Sequence, residues 1–128
     1  MSKGRGSASL LMVMATLIPL MCLLFLVKPS NAATYTVGGP GGWSFNTNSW
    51  PNGKTFRAGD VLVFNYDSST HNVVAVDRIG YSSCRTPRGA RVFRSGKDQI
   101  KIARGANYFI CNVPGHCESG MKIAINAA

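Results

Sequence analysis

The sequence predicts an all-β domain, built as a two-sheet antiparallel sandwich or as a Greek-key barrel of about seven strands. Three observations support this prediction. Short runs rich in β-branched and aromatic residues recur along the chain, and Gly, Pro, Asn and Asp separate them. No long stretch has helical periodicity. Neither repeats nor a linker divide the chain, so one small domain with one modest core is expected.

The first 32 residues are predicted to be a cleaved secretory signal peptide. A basic segment, residues 1–6, precedes an apolar run at 10–27. Small residues, Ser30 and Ala32, then stand at the −3 and −1 positions of a cleavage site before Ala33. This order of basic, apolar and small residues is typical of secretion signals.

Two alternatives to this cleavage remain open. The apolar run could be an uncleaved transmembrane anchor, but its 18 residues are short for a span and Pro19 interrupts it. Cleavage could also follow Ala33 instead of Ala32. With cleavage after Ala32, removing 32 of the 128 residues leaves a domain of 96 residues, 33–128. We expect a secreted monomer with no membrane anchor after cleavage.

The N-terminal half of this domain contains three predicted strands. Thr34–Val37 combines β-formers and stops at a glycine-rich turn. Residues 43–52 have room for a short helix only, because Pro and Gly limit its length. Val61–Tyr66 is an apolar and aromatic run after an Ala-Gly-Asp turn, and Asn72–Val76 contains three valines.

The C-terminal half contains four more predicted strands. Arg91–Phe93 is short, and Asn107–Ile110 is aromatic with Phe109 suited to the core. In Gln99–Ile102 and Met121–Ile125 the isoleucines suit inward positions and the lysines outward positions, as expected for half-buried strands.

One segment of the domain combines three metal-binding side chains. Cys111, His116 and Met121 recur at intervals of five residues, and His71 lies in a turn between two predicted strands. Two His, one Cys and one weakly bound Met form the ligand set of a blue-copper electron-transfer site. The sequence therefore predicts one type 1 copper ion, with Met121 as the weak axial ligand and one-electron transfer by the Cu(I)/Cu(II) couple. The backbone N–H of Asn72, next to a ligand, is a candidate donor to the thiolate.

Other chemistries explain these residues less well. Zinc could use two His and two Cys, but Cys111 and Cys117 lack the usual close spacing and Cys84 would be left over. A Cys–His hydrolase lacks an acyl-transfer signature around Cys111 and His116. An enzyme is not expected, because four protein ligands leave no open metal position for a substrate.

The three cysteines of the domain can be assigned in two ways. Loss of Cys22 with the signal peptide leaves Cys84, Cys111 and Cys117, an odd number for a secreted protein. If Cys111 binds copper, the other two are left to form a disulfide. Alternatively, Cys111 and Cys117 form a local disulfide and Cys84 is free.

The domain is basic, which bears on its partners. The full chain has a net charge of +9, with 14 basic and five acidic residues. Three basic residues leave with the signal peptide, so the domain keeps about +6. A basic residue recurs at every third position of residues 85–97, the basic segment: Arg85, Arg88, Arg91, Arg94 and Lys97. This segment is either a solvated loop or a docking surface for an anionic partner, such as an acidic redox protein or pectic polysaccharide; nucleic acid is not expected.

Four motifs of the domain resemble the phytocyanins, the blue-copper proteins of plants. They are Val37–Trp43 with its four glycines, Phe56–Phe64, His71–Val74 and Tyr108–Cys117. The basic charge and Met121 are similar to the plantacyanin or basic blue protein subgroup, whereas stellacyanin-type members have Gln at the axial position. The resemblance covers essentially all of residues 33–128.

This resemblance carries specific implications. It implies a cupredoxin fold, copper ligands at His71, Cys111, His116 and Met121, a disulfide Cys84–Cys117, and an apoplastic or extracellular-matrix location. It also implies solvent-accessible imidazole edges for electron transfer with an unknown protein or small-molecule partner. An alternative function is extracellular signalling or cell-wall interaction, as proposed for the group in pollen-tube guidance and reproduction, with copper mainly structural.

Overall fold

The computed structural model describes residues 31–128, so residues 1–30 of the predicted signal peptide 1–32 lie outside the described residues. Its cleavage and the boundary before Ala33 therefore stay predictions. Residues Ala32–Ala128 form one compact unit. In this part of the chain, no helix has both the length and the apolar character needed to cross a membrane.

Two β-sheets make up this unit, as the sequence predicts. One sheet has the strand order β1-β2-β5 and the other has the order β4-β3-β6-β7. Each strand overlaps one of the seven predicted runs, which confirms the all-β fold. The strands are β1 (Thr34–Thr36), β2 (Val61–Asn65), β3 (Val73–Val76), β4 (Val92–Phe93), β5 (Lys97–Lys101), β6 (Gly105–Ile110) and β7 (Lys122–Ala127).

One strand pair departs from the predicted antiparallel pattern. Strand β1 pairs with β2 in parallel, with Thr34 opposite Val61. Parallel neighbours need a long crossover connection, and residues 37–60 supply it between β1 and β2. This connection contains two short 3₁₀ helices, Gly39–Gly41 and Thr47–Ser49. The second lies within residues 43–52, where the sequence leaves room for a short helix.

The core lies between the sheets and extends beneath the candidate metal ligands. In β2 the inward residues Leu62 and Phe64 are fully buried. Phe64 contacts Trp43 edge-on, with ring centroids 5.0 Å apart, and packs on Phe109 of the other sheet at 5.3 Å. The indole Nε1 of Trp43 donates a 2.9 Å hydrogen bond to the carbonyl of Asn72. The core is therefore joined directly to the residue that follows His71.

A short helix, α1 (Arg78–Ser83), was not predicted from the sequence. Asp77 caps its N-terminus by accepting a 2.7 Å hydrogen bond from the N–H of Gly80. Cys84 ends it in the left-handed conformation at φ 55°. Six residues are too few to show helical periodicity, so the Asp cap was the available sequence signal.

Candidate metal centre

Three of the four predicted ligands converge on one point. His71 lies in the connection from β2 to β3, Cys111 follows β6 directly, and His116 lies in the next loop. Their donor atoms all lie within 4.8 Å of one another. The Nδ1 atoms of the two histidines are 3.0 Å apart, and Cys111 Sγ is 3.6 Å from His116 Nδ1. Two imidazole nitrogens and one sulfur thus face a common centre.

Backbone hydrogen bonds join the two ends of residues 111–121, the ligand loop. The N–H of Cys111 donates to the carbonyl of Met121 at 3.0 Å, and the N–H of Met121 donates to the carbonyl of His116 at 3.1 Å. Gly120 has φ +83°, and a Cβ there would lie 3.1 Å from the backbone N of Asn46. The loop is therefore held at both ends, with Met121 in backbone contact with two other predicted ligands.

The centre has a buried sulfur side and a more open imidazole side. Cys111 and Met121 are both 0% exposed, whereas His71 and His116 are partly exposed. Burial, followed by the proximity of His116, lowers the pKa of His71, while Asp67 opposes this shift. A lowered pKa favours the neutral imidazole, which is the form that binds metal ions.

Residues 67–72, the histidine turn, are shaped by Asp67. Its Oδ1 accepts hydrogen bonds from the N–H of Ser69 at 2.9 Å and from the Ser69 hydroxyl at 2.6 Å. Its carbonyl accepts from the N–H of His71 at 3.0 Å. An Asp that bonds the backbone two residues ahead forms a local turn. This turn places His71 opposite the ligand loop.

A pair of asparagines joins the histidine turn to the ligand loop. Asn72 Nδ2 donates to Asn112 Oδ1 at 2.6 Å, and the N–H of Asn112 donates to Asn72 Oδ1 at 3.0 Å. Asn112 Nδ2 also reaches Thr86 Oγ1 at 3.0 Å. The sequence suggested a backbone role for Asn72 beside the thiolate. That role stays a prediction, and the side chain of Asn72 in addition fixes the residue after His71 to the residue after Cys111.

Phe45 is a residue of the site that the sequence analysis missed. Its ring is 45% exposed and meets the rings of His71 and His116 edge-on, with centroids 5.8 and 4.9 Å apart. The local signal was weak, since a single aromatic residue between Ser44 and Asn46 in a turn has no periodic context. Phe45 covers the imidazole side that the core leaves open.

The ligand loop is also fastened by a disulfide. Cys84, at the end of α1, is bonded to Cys117, with their Cα atoms 5.6 Å apart. Among the described residues Cys111 is the free cysteine. The fold prediction included one disulfide, and the structure contains it in the pairing that the resemblance implied. The alternative Cys111–Cys117 pairing is excluded.

The basic segment is exposed and is not helical. All five of its basic residues are exposed, and the segment includes β4. The guanidinium of Arg91 lies over the ring of Phe93, 4.9 Å from its centroid. Because Cys84 precedes the segment and is bonded to Cys117, its first residues start close to the ligand loop.

The donor set fits copper. A thiolate and two imidazoles are soft and intermediate ligands, which suit copper better than the hard ions magnesium and calcium. The cluster of described residues that could hold a metal ion is His71, Cys111 and His116, with no carboxylate in it. A buried thiolate also keeps water away from the sulfur, which a stable electron-transfer site requires.

Comparison with known protein families and sequences agrees with this interpretation. Residues 43–121 match the family described as the Plastocyanin-like domain. The chain is 65% identical over 95 residues to the basic blue protein of Cucumis sativus, covering 74% of this chain and 99% of that protein. It is 53% identical over 128 residues to the chemocyanin of Lilium longiflorum, covering 100% of both.

Solved structures give the same result. The cucumber basic protein, a blue copper protein, superposes with a TM-score of 0.75 at 66% identity, covering 75% of this chain and 100% of that chain. Spinach plantacyanin superposes with a TM-score of 0.68 at 61% identity, with the same coverage.

Proposed function

Since this chain belongs to the phytocyanin family of plants, in its basic blue protein or plantacyanin subgroup, we propose that it transfers single electrons between extracellular redox partners. Its fold is the cupredoxin fold, and its cofactor is one copper ion. Membership of a blue-copper family supports the role of copper-binding electron carrier. The observation that carries the proposal is the convergence of His71, Cys111 and His116 within 4.8 Å.

We assign His71, Cys111 and His116 as the three strong ligands and Met121 as the weak axial ligand. When bound, copper supplies the Cu(I)/Cu(II) couple for one-electron transfer. Cys111 holds its sulfur in the water-excluded interior, and the backbone bonds of the ligand loop keep the donors in one arrangement. With four protein ligands no position remains for a substrate, so we propose a carrier and not an enzyme.

The experiment is to load the purified protein with Cu(II) and record its visible spectrum. A thiolate-to-copper charge-transfer band should make the oxidised protein intensely blue. Cys111→Ser should lose this colour, while Met121→Gln should keep it and shift the reduction potential. The retained disulfide and circular dichroism would show that the Ser variant is folded. A colourless, copper-loaded wild-type protein would contradict the ligand assignment.

The partner is proposed to be anionic and to bind at the basic segment. Five exposed basic residues on one segment that starts near the ligand loop create a positive potential that steers anions toward the site. Both an acidic redox protein and pectic polysaccharide have the required charge. Arg88→Glu with Arg91→Glu should weaken binding to polygalacturonate or to an acidic electron donor and flatten its salt dependence.

A charge-matched control separates a docking site from simple net charge. Lys101→Glu with Arg104→Glu alters two exposed basic residues outside the basic segment, with the same change in net charge. If both double variants lose binding equally, the basic segment has no special role.

The second candidate function is extracellular signalling or wall interaction with copper mainly structural. It is supported by the match over the full length of both chains to a relative named chemocyanin. Cys111→Ser separates the two functions, because it removes the blue site without touching the basic segment. A biological activity that survives this change in a folded protein would not depend on electron transfer. Secretion to the apoplast is part of both proposals.

A further inference from the structure

Asp60 is a buried carboxylate in the turn before β2. It is 3% exposed, and its two oxygens accept 2.9 Å hydrogen bonds from the backbone N–H groups of Ala33 and Arg57. Both donors are neutral amides. A buried carboxylate is costly unless an opposite charge or several hydrogen bonds compensate it. A positive charge on either of these two donors would therefore compensate the buried carboxylate further.

Both backbone polar groups of Ala33 have a hydrogen-bond partner. Its N–H points to Asp60 Oδ1, and its carbonyl accepts a 2.9 Å hydrogen bond from the N–H of Val61. Pairing of β1 with β2 begins at the next residue, Thr34. Ala33 itself is exposed, so a charged nitrogen there can be partly solvated while it contacts the buried carboxylate.

We propose that Asp60 is a binding site for the new chain terminus that signal-peptide removal creates at Ala33. A leader-cleaving endopeptidase hydrolyses the Ala32–Ala33 peptide bond with water. The hydroxyl group goes to the carbonyl carbon of Ala32, and a hydrogen goes to the nitrogen of Ala33. The amine then takes up a proton and becomes an ammonium group, with Asp60 as its counter-ion.

This inference rests on the secretion that is part of the proposed function, and it chooses between the two cleavage positions. Cleavage after Ala32 turns a neutral donor into a charged one at the same place, which strengthens the hydrogen bond. Cleavage after Ala33 would remove the donor and leave Asp60 with the N–H of Arg57. Residues 33–128 are 96 of 128, or 75% of the chain, which is also the share matched by the whole solved chain of the cucumber basic protein.

The consequence is that signal-peptide cleavage strengthens the attachment of the edge strand β1 to its sheet. Strand β1 has three residues, at one edge of the sheet β1-β2-β5. So short an edge strand is weakly held by its own ladder. An ion pair at Ala33, the residue directly before β1, fixes the start of this strand to the turn before β2. The precursor, with an amide at Ala33, has the hydrogen bond without the charge.

The test uses the full chain secreted from a eukaryotic host, with the N-terminus of the product read by mass spectrometry. The α-amine is then acetylated, and mass spectrometry of its peptides identifies the product modified at Ala33 alone. Selection by product is needed because pairing with Asp60 raises the pKa of the amine above its ordinary value of about 8, closer to the value of about 10.4 for lysine. Acetylation restores an amide N–H at Ala33 and removes only the charge. The melting temperature of the acetylated protein should fall by roughly 4–8 °C, the range for a modest loss of stability in a domain of this size.

Asp60→Asn is the variant of nearest size, since it removes the charge and keeps one of the two oxygen acceptors, while its amide nitrogen replaces the other. Acetylation should leave the melting temperature of this variant unchanged, because the counter-ion is already gone. A mature chain that begins at Thr34, or an equal fall on acetylation in both proteins, would overturn the proposal. If Asp60→Asn fails to fold, an unchanged melting temperature of the acetylated wild type would overturn it alone. The blue spectrum, which tests the electron-transfer proposal, should be the same before and after acetylation.

Discussion

The ligand loop and the histidine turn bring their donors to the same centre by different means. The ligand loop is closed by its own backbone hydrogen bonds and by the disulfide at Cys117. The histidine turn also has backbone bonds to the Asp67 carbonyl, but the carboxylate of Asp67 shapes it and the side chain of Asn72 joins it to the loop. A local backbone motif tolerates change at its surface, whereas a turn held by side chains fails when one partner is lost. The two regions should therefore respond differently to substitution.

The largest effect should follow from removing the disulfide, which acts on the ligand loop. Cys84→Ala with Cys117→Ala should lower the free energy of unfolding by about 2–5 kcal/mol, since the bridge restricts the unfolded chain. Urea denaturation of copper-free protein measures this loss. The loop backbone bonds remain, so the folded fraction should still turn blue with copper. A colourless folded variant would show that the loop depends on the disulfide for its shape.

The next effect should come from Asn72→Ala, which cuts the link between the two regions. The N–H and the side-chain oxygen of Asn112 lose their partners, which should cost about 1–3 kcal/mol of unfolding free energy. His71 should also become less well placed, so copper affinity should fall in a competition titration. Thr86→Ala is the matched control because it removes only the outer contact of Asn112, an exposed one. Equal losses in the two variants would argue against the linking role of Asn72.

A smaller and pH-dependent effect is expected at Tyr66, which leads into the histidine turn. Its hydroxyl hydrogen-bonds to the buried Asp98 carboxylate and to the carbonyl of Phe93 at 3.1 Å. Burial, then the hydrogen bond to Asp98, raises the pKa of Tyr66 from 10.0 to about 12. The unfolded chain thus loses this proton at lower pH than the folded protein. The stabilisation is complete below pH 10 and is lost as pH rises toward about 12.

Tyr66→Phe measures this contribution. The variant should be less stable by about 1 kcal/mol at neutral pH, the usual net value of a hydrogen bond. The gap between variant and wild type in urea denaturation should close as pH rises above 10. A gap that is constant across this alkaline range would show that the phenol does not titrate with folding.

The smallest effect on stability should come from Phe45→Ala, which touches both histidines. Because the ring is 45% exposed, its loss should change the free energy of unfolding by less than about 1 kcal/mol. The imidazole edges become more open to water, so the reduction potential and the rate of electron self-exchange should change. Voltammetry and NMR line broadening measure these quantities. If both stay at the wild-type values, Phe45 is a passive cover.

The parts of the molecule that the sequence predicted well are those with local patterns. All seven strands had alternating or β-branched runs bounded by turn residues, and the regular spacing of Cys111, His116 and Met121 indicated a metal site. The role of Met121 as axial ligand remains a prediction, supported by its burial and backbone contacts. Helix α1 was missed because a six-residue helix has no periodicity to detect.

The parts that could not be predicted depend on contacts between distant residues. Parallel pairing of β1 with β2 follows from a long crossover, which leaves no mark on either strand. The asparagine pair joins positions 72 and 112, and the contact of Ala33 with Asp60 spans 27 residues. Phe45 reaches the histidines across the fold. Such contacts depend on how the sheets pack, which a single sequence does not show.

The hydrogen bond from Trp43 to Asn72 makes Trp43 an intrinsic fluorescent reporter. The domain has two tryptophans, and Trp43 is fully buried while Trp50 is partly exposed. The indole of Trp43 is bonded to the residue beside His71, so its fluorescence senses the core and the histidine turn together. Emission from a buried indole lies at shorter wavelength than emission from one in water. The emission wavelength and intensity of Trp43 therefore report on the conformation of the histidine turn without an attached dye.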